Sequence, residues 1–432
     1  MSSNPEQDFV LKTIKGRDVH FVRFWFTDVL GNMKSFAVIP SELENAFDDG
    51  MGFDGSCVEG FCRTRESDML AFPDASTFQV LPWRPESNAV GRMFCDIRTP
   101  DGKPFEGDPR QVLAREVQRA LDMGYVLNVG PELEFFYFKD QHSTEVLDRG
   151  GYFDLTSLDY ASDLRRDTVL TLEKMGIPVE YSHHENGPSQ HEIDLRFTDA
   201  LSMADAVMTY KLVVKEIAMK HGVYASFMPK PLRGQAGSGM HINLSAYRDG
   251  RNIMNIDGSD RGALTGDAAG LVAGIMRRLP EMTALLNPIT NSYERLSDMD
   301  MPGSVGWSLD NSQVVRLPHA TGERARMELR SPDSALNPYI AFSLIIAAGM
   351  EGIRDGLTLP ASRRFGDLPG TADMLPRDLR SAIALSQSEF ISSVLPAELL
   401  NAFTAQRMRE IEFVENSPDR TSAESDLYFM YI

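Results

Sequence analysis

Apolar and polar residues alternate near the start of the chain, as in Val19-His20-Phe21-Val22-Arg23-Phe24-Trp25-Phe26. Short alternating runs across 9–39, broken by a turn at Asp28–Gly31, predict strands. Residues 41–48 predict a short helix capped by Ser41. Further short strands are expected near 78–81 and 91–97. The Pro- and Gly-rich stretch 99–110 reads as a linker. Beyond it the period lengthens: residues 109–123, 159–175, 200–221, 264–286 and 335–356 carry helical spacing. Strand-like runs lie between these helices. The pattern predicts a small β-rich domain of about a hundred residues followed by a larger α+β domain. No internal repeat is visible, and only a weak polar stretch at 416–426 hints at low complexity.

Chemistry gathers on the strand-like runs. Glu132 and Glu134 stand in Gly-Pro-Glu-Leu-Glu-Phe-Phe, and Glu185 follows two histidines. Glu192 ends Gln-His-Glu, His241 closes Gly-Ser-Gly-Met-His, and Glu328 sits in Arg-Met-Glu-Leu-Arg. Residues two apart on a strand share a face, so Glu132 and Glu134 project together. Two like charges on one face of a buried strand are destabilising unless a cation lies between them. Five carboxylates and one imidazole favour two hard divalent cations, Mg²⁺ or Mn²⁺ rather than zinc. Paired ions of that kind serve phosphoryl transfer. Arg316, Arg326 and Arg330 would add positive charge beside them. His183 and His184 either orient Glu185 or fill the core.

Composition narrows the choice of partner. The 432 residues carry a formal net charge of −19, with 42% hydrophobic and 24% charged residues. That acidity, with no basic stripe, disfavours nucleic acid. Three cysteines (Cys57, Cys62 and Cys95) read as reduced thiols. The longest apolar run, near 340–349, is about half a membrane span. These features predict a soluble cytoplasmic enzyme with no membrane partner.

In their order and spacing the clusters resemble the glutamine synthetase family of the bacterial type I, over nearly the whole chain, with the N-terminal part most like actinobacterial members. Phe-Asp-Gly-Ser (53–56), Glu-Ser-Asp-Met (66–69), Phe-Met-Pro-Lys-Pro (227–231), Asn-Ser-Tyr-x-Arg-Leu (291–296) and Glu-Leu-Arg-Ser-Pro-Asp-x-x-x-Asn-Pro-Tyr (328–339) carry the likeness along with the metal clusters. The resemblance implies an α+β fold: a β-grasp domain over 1–104 and a catalytic domain over 105–432, with a curved antiparallel sheet and packed helices. It implies ATP-dependent union of glutamate and ammonia through γ-glutamyl phosphate, in hexameric rings that pair into a dodecamer. By position, Glu134, Glu185 and Glu192 would hold one ion, and Glu132, His241 and Glu328 the other. Glu180 and Ser245, with Arg316 and Arg326, would serve ATP. Ala236, Gly237, Arg295 and Arg330 would face glutamate. Asp54 of a neighbouring subunit would take a proton from ammonium, and Asp300 would sit in the closing flap.

Four positions depart from the family pattern. Ala236 replaces an asparagine that touches glutamate. The flap reads Ser-Asp-Met-Asp-Met-Pro (297–302), one residue short, with Asp300 nearest the expected glutamate. Asp-Asn-Ser-Gln (310–313) lacks a phosphate-binding arginine, and 354–376 lacks the tyrosine segment that some relatives adenylylate. An opened site would admit a larger amine such as a polyamine or ethanolamine. Two alternatives to ammonia ligation therefore stand: a γ-glutamyl-amine ligase, or a catalytically weak regulatory homologue.

Overall fold

The computed structural model describes residues 4–61, 67–255, 264–297, 304–363 and 374–432. Helix α1 (Pro5–Gly16) opens the chain, capped by Asn4 and started by Pro5. Its buried Val10 and Ile14 are one helical turn apart, a spacing hidden within the alternating run expected at 9–39. Strands β1 (Val19–Thr27) and β2 (Met33–Val38) form a hairpin. Helix α2 (Leu43–Asp49) follows a 3₁₀ turn at Pro40–Glu42. That turn moves the helix start past Ser41: Glu42 occupies the cap and makes no side-chain bond there, which corrects the expected Ser41 cap. Next come β3 (Met51–Asp54), β4 (Asp68–Pro73), β5 (Gln79–Val80) and β6 (Ala89–Arg98). Among the described residues these strands make one sheet, ordered β2-β1-β6-β4-β3 with β5 beside β6. The central β1–β6 pair is parallel.

The segment 99–110 is more ordered than a linker. Arg98 bridges to Pro104. Asp108, fully buried, accepts bonds from the Ile97 and Arg110 amides and caps α3 (Pro109–Asp122). Arg110 then binds Asp74 and Asp96 of the N-terminal sheet and Asp205 of the larger unit. One guanidinium thus ties the N-terminal unit to the helix that carries Asp205, and the Tyr339 hydroxyl donates to the same carboxylate.

The second sheet holds the site. Its strands are β7 (Tyr125–Phe138), β8 (Val179–His184), β9 (Gln190–Leu195), β10 (Thr198–Asp199), β11 (Tyr224–Ser226), β12 (Met240–Arg248), β13 (Arg251–Asn252), β14 (Trp307–Ser308), β15 (Val315–Arg316) and β16 (Met327–Leu329). The order is β14-β15-β16-β12-β7-β9-β8, antiparallel except for the β14–β15 pair. Helices α4 (Ser162–Lys174), α5 (Ala200–Lys220), α6 (Gly266–Leu286), α7 (Ser292–Leu296) and α8 (Pro338–Arg354) accompany it. The first two and the long α6 and α8 lie close to the periods read from sequence. Glycines let α6 and α8 touch: a Cβ at Gly270 would stand 2.9 Å from the Gly352 carbonyl oxygen. Four C-terminal helices close the fold, α9 (Leu379–Ser386), α10 (Glu389–Val394), α11 (Ala397–Asn416) and α12 (Arg420–Tyr428). The polar stretch at 416–426 is thus largely helix, capped by Asp419. The main core runs from Trp25 and Phe94 through Phe135 and Tyr210 to Phe403, so the back of the small sheet joins the large one.

Candidate functional site

Strand register assembles the acidic face. His241 on β12 lies opposite Glu132 on β7. Glu134 lies opposite Glu192 on β9, and His183 on β8 lies opposite Glu192 in turn. On the other side Asn243 pairs with Glu328 on β16. Four adjacent strands and the end of a fifth therefore contribute to one surface, because side chains two apart share a face. The six proposed ligands fall on two neighbouring clusters and one bridging carboxylate. Ligand atoms of Glu132, His241 and Glu328 lie within 4.8 Å of one another, as do those of His183, Glu185 and Glu192. Glu134 stands beside the second cluster, where its Oε2 accepts bonds from the Gly239 amide at 2.8 Å and the Gln190 side chain at 3.1 Å.

The electrostatics are those of a crowded acidic face. Burial, then neighbouring Asp194 and Glu134, push the Glu192 carboxyl well above its usual range. Burial likewise raises Glu134 and lifts Asp194 to about 7. Burial also opposes the charge of Glu132, but hydrogen bonding and charge from His241 outweigh it and bring Glu132 down to about 2. Glu328, only 2% exposed, is covered by Arg316 at 2.9 Å and by Arg330, with His241 at 3.6 Å. Protein cations thus screen one end of the face while carboxylates crowd the other. This set of six proposed ligands, five carboxylates and one imidazole, fits hard divalent cations.

Both histidines before Glu185 turn out to orient it. His183 Nε2 donates to Glu185 Oε1 at 2.9 Å. His184 is fully buried, with Nδ1 on the Glu185 carbonyl oxygen at 2.7 Å and Nε2 on Asp148 at 3.0 Å. Asp148, His184 and His191 also lie within ligand distance of one another. However, Arg165 holds His191 Nδ1 at 2.8 Å, and a guanidinium there opposes a metal ion.

A cleft of about 330 Å³ opens beside Glu132, lined also by Glu180, Ser245, Asn243 and Arg326. Three of the four residues expected at the nucleotide thus line one space. Arg316, the fourth, turns to Glu328 instead. Arg326 is fixed by Asn243 at 2.8 Å. Near the glutamate positions, Gly237 packs against Arg295, where a Cβ would stand 2.9 Å from Arg295 Cγ. Arg295 is buried and donates to the Ser331 and Arg330 carbonyl oxygens at 2.8 and 3.0 Å. Ala236 is half-buried next to Gly237. Asp54 ends β3 on the small sheet, exposed, its pKa held down by the Ser56 amide and the Ser56 and Ser67 hydroxyls. Asp300 lies outside the described residues, as do Cys62 and part of 354–376. Sequence reasoning passed over Gln190, Asp194 and Asn243. Each sits two residues from a named ligand, so the rule that paired Glu132 with Glu134 would have found them.

A row of carboxylates across one sheet, next to a cleft of about 330 Å³, defines an enzyme-like site with groups that could hold divalent cations. Residues 18–100 match the glutamine synthetase beta-Grasp domain and residues 106–426 the glutamine synthetase catalytic domain, and the chain belongs to this family. It is 45% identical to a glutamine synthetase of Methanosarcina mazei over 93% of both chains. With one from Mycolicibacterium smegmatis it shares 43% identity, over 94% of this chain and 96% of that one. Among solved structures, a GmaS/ADP complex superposes with a TM-score of 0.85 at 27% identity, covering 96% of this chain and 99% of that one. A Plasmodium falciparum glutamine synthetase shares the fold, with a TM-score of 0.86 at 22% identity over 99% of both chains.

Proposed function

We propose that two Mg²⁺ or Mn²⁺ ions work on this face in the family's reaction, ATP-dependent formation of glutamine from glutamate and ammonia through γ-glutamyl phosphate. The protein is a glutamate–ammonia ligase by family. The observation that carries the two-ion reading is the pair of ligand clusters flanking Glu134 on one sheet face. Glu132, His241 and Glu328 would hold one ion, and Glu134, Glu185 and Glu192 the other. Bound there, such ions screen phosphate charge and lower the barrier to phosphoryl transfer.

The chain's own residues supply the rest. Glu180 and Ser245 border the nucleotide, and Arg326, anchored on Asn243, meets its phosphates. Arg330 and Arg316, which cover Glu328, bring two guanidiniums toward the transferring group. Arg295 shapes the glutamate pocket against Gly237 and Ala236. Asp54, reaching from a neighbouring subunit of a hexameric ring, accepts a proton from ammonium, and Asp300 shields the acyl phosphate from water. Rings pair into a dodecamer in the cytoplasm. The fold divides into working units at 1–104 and 105–432.

Ala236 favours a second reading, ligation of glutamate to an organic amine, because a shorter side chain widens the pocket. Side-by-side assays with ATP, glutamate and each amine separate the two. The kcat/KM for ammonia is expected to exceed that for putrescine, spermidine, ethanolamine and methylamine. An amine that outperforms ammonia by about tenfold, about 1.4 kcal/mol in transition-state binding, replaces the ammonia reading. No turnover with any of them leaves the regulatory homologue.

A further inference from the structure

The last helix reaches the 228–239 loop through two buried polar side chains. Asn291, just before α7, is 3% exposed and clamps Lys230 from both sides. Its Oδ1 accepts from the Lys230 amide at 2.7 Å, and its Nδ2 donates to the Lys230 carbonyl oxygen at 3.2 Å. The same Nδ2 donates to Glu424 Oε2 on α12 at 3.0 Å. Glu424 is itself buried and takes a second bond from Arg420. Lys230 in turn closes its own loop by donating Nζ to the Gln235 carbonyl. The chain then passes to Gly237, whose carbonyl accepts from Gln190, and to Gly239, whose amide binds Glu134. Between them the Ser238 amide ties back to the Pro229 carbonyl oxygen at 2.8 Å.

We infer that Asn291 and Glu424 are positioning residues for the glutamate subsite: α12 sets the 228–239 loop through them. The inference rests on the glutamate-ligase reading above. Physically, a carboxamide that serves both the amide and the carbonyl of one residue fixes that peptide's position and its rotation. The buried Glu424 carboxylate then decides which way round the carboxamide sits, because it accepts only from nitrogen. A loop held this way keeps Gly237 against Arg295. Neither residue borders the nucleotide cleft, so ATP binding is outside its reach.

The test uses purified full-length protein. Asn291→Asp places a carboxylate against Glu424 and is expected to raise the KM for glutamate about tenfold or more, with the Kd for ATP within about twofold of the parent. Adding Glu424→Gln to it restores a donor facing the new acceptor but not the bond to the Lys230 carbonyl oxygen, and part of the rise in KM is expected to be reversed. Calorimetric titration of glutamate in the presence of Mg²⁺ and a non-hydrolysable ATP analogue follows the same order. If the parent fails to make glutamine but binds glutamate, the reaction assignment falls while the titration still decides this inference. A glutamate KM and Kd unchanged in Asn291→Asp overturn it. So do equal losses of glutamate and ATP binding without recovery in the double variant, the signature of a general loss of fold.

Discussion

Glu328 shows how single residues share the work of this site. It accepts from Arg316 and Arg330 and lies within ion-pair distance of His241. Glu328→Ala removes the partner of two guanidiniums, and stranded buried charge costs about 3–5 kcal/mol. Turnover is expected to vanish and Mn²⁺ binding, read by electron paramagnetic resonance, to weaken more than about a hundredfold, beyond the 10–100-fold loss typical of a ligand's supporting partner. Glu328→Gln, which keeps the volume, is expected to fold and still lose the ion; near-parent Mn²⁺ affinity in it would remove Glu328 from the ligand set. At this scale much was legible in the residues themselves. Glutamates two apart announced a common face, and the structure puts both on it. The bonding of Arg295 to the Ser331 and Arg330 carbonyl oxygens was not legible, since nothing local in Asn-Ser-Tyr-x-Arg-Leu says which backbone will approach.

Among the elements, α6 and α8 cross with backbone against backbone. A Cβ on Gly274 would come 2.8 Å from Gly352 Cα and closer still to the Ala348 carbonyl oxygen, both backbone atoms that cannot rotate away. Gly274→Ala must therefore part the helices, despite the better helix propensity of alanine. The expected loss is about 1–3 kcal/mol, read as a lower urea midpoint at unchanged slope. A midpoint equal to the parent's would mean the helices separate freely. The long helices were readable because each carries several turns of one-sided apolar spacing. Helix α1 was not, because only Val10 and Ile14 are fully buried, with Leu11 partly so, too few positions to show a helical period. The C-terminal helices are short or polar on most faces. Their apolar residues pack into the distant main core, and Glu424 onto Asn291, partners that no window of the sequence contains.

For the whole molecule, Asp54 and the acidic clusters belong to different sheets, and none of the hydrogen bonds of Asp54 among the described residues reaches those clusters. A site completed by a neighbour predicts complementation. Inactive Asp54→Ala and inactive Glu328→Ala proteins, exchanged into hybrid rings, are expected to recover part of the parental activity, at most about a quarter if subunits mix randomly and sites act independently. Verified hybrids with no recovery would place each site within one subunit. The resemblance carried the two-sheet plan from sequence, and Arg110 shows what it could not carry: one side chain joins Asp74, Asp96 and Asp205 across the boundary. The acidic face itself has a consequence for how the chain is checked as it folds. Its carboxylates come from positions as far apart as Glu132 and Glu328 and meet only when β16, β12, β7 and β9 are in register. A slip of one residue would turn Leu133 and Ile193 outward in their place. A cation that binds only the correct pairing then acts as an inspector, drawing the population toward the one arrangement that can hold it.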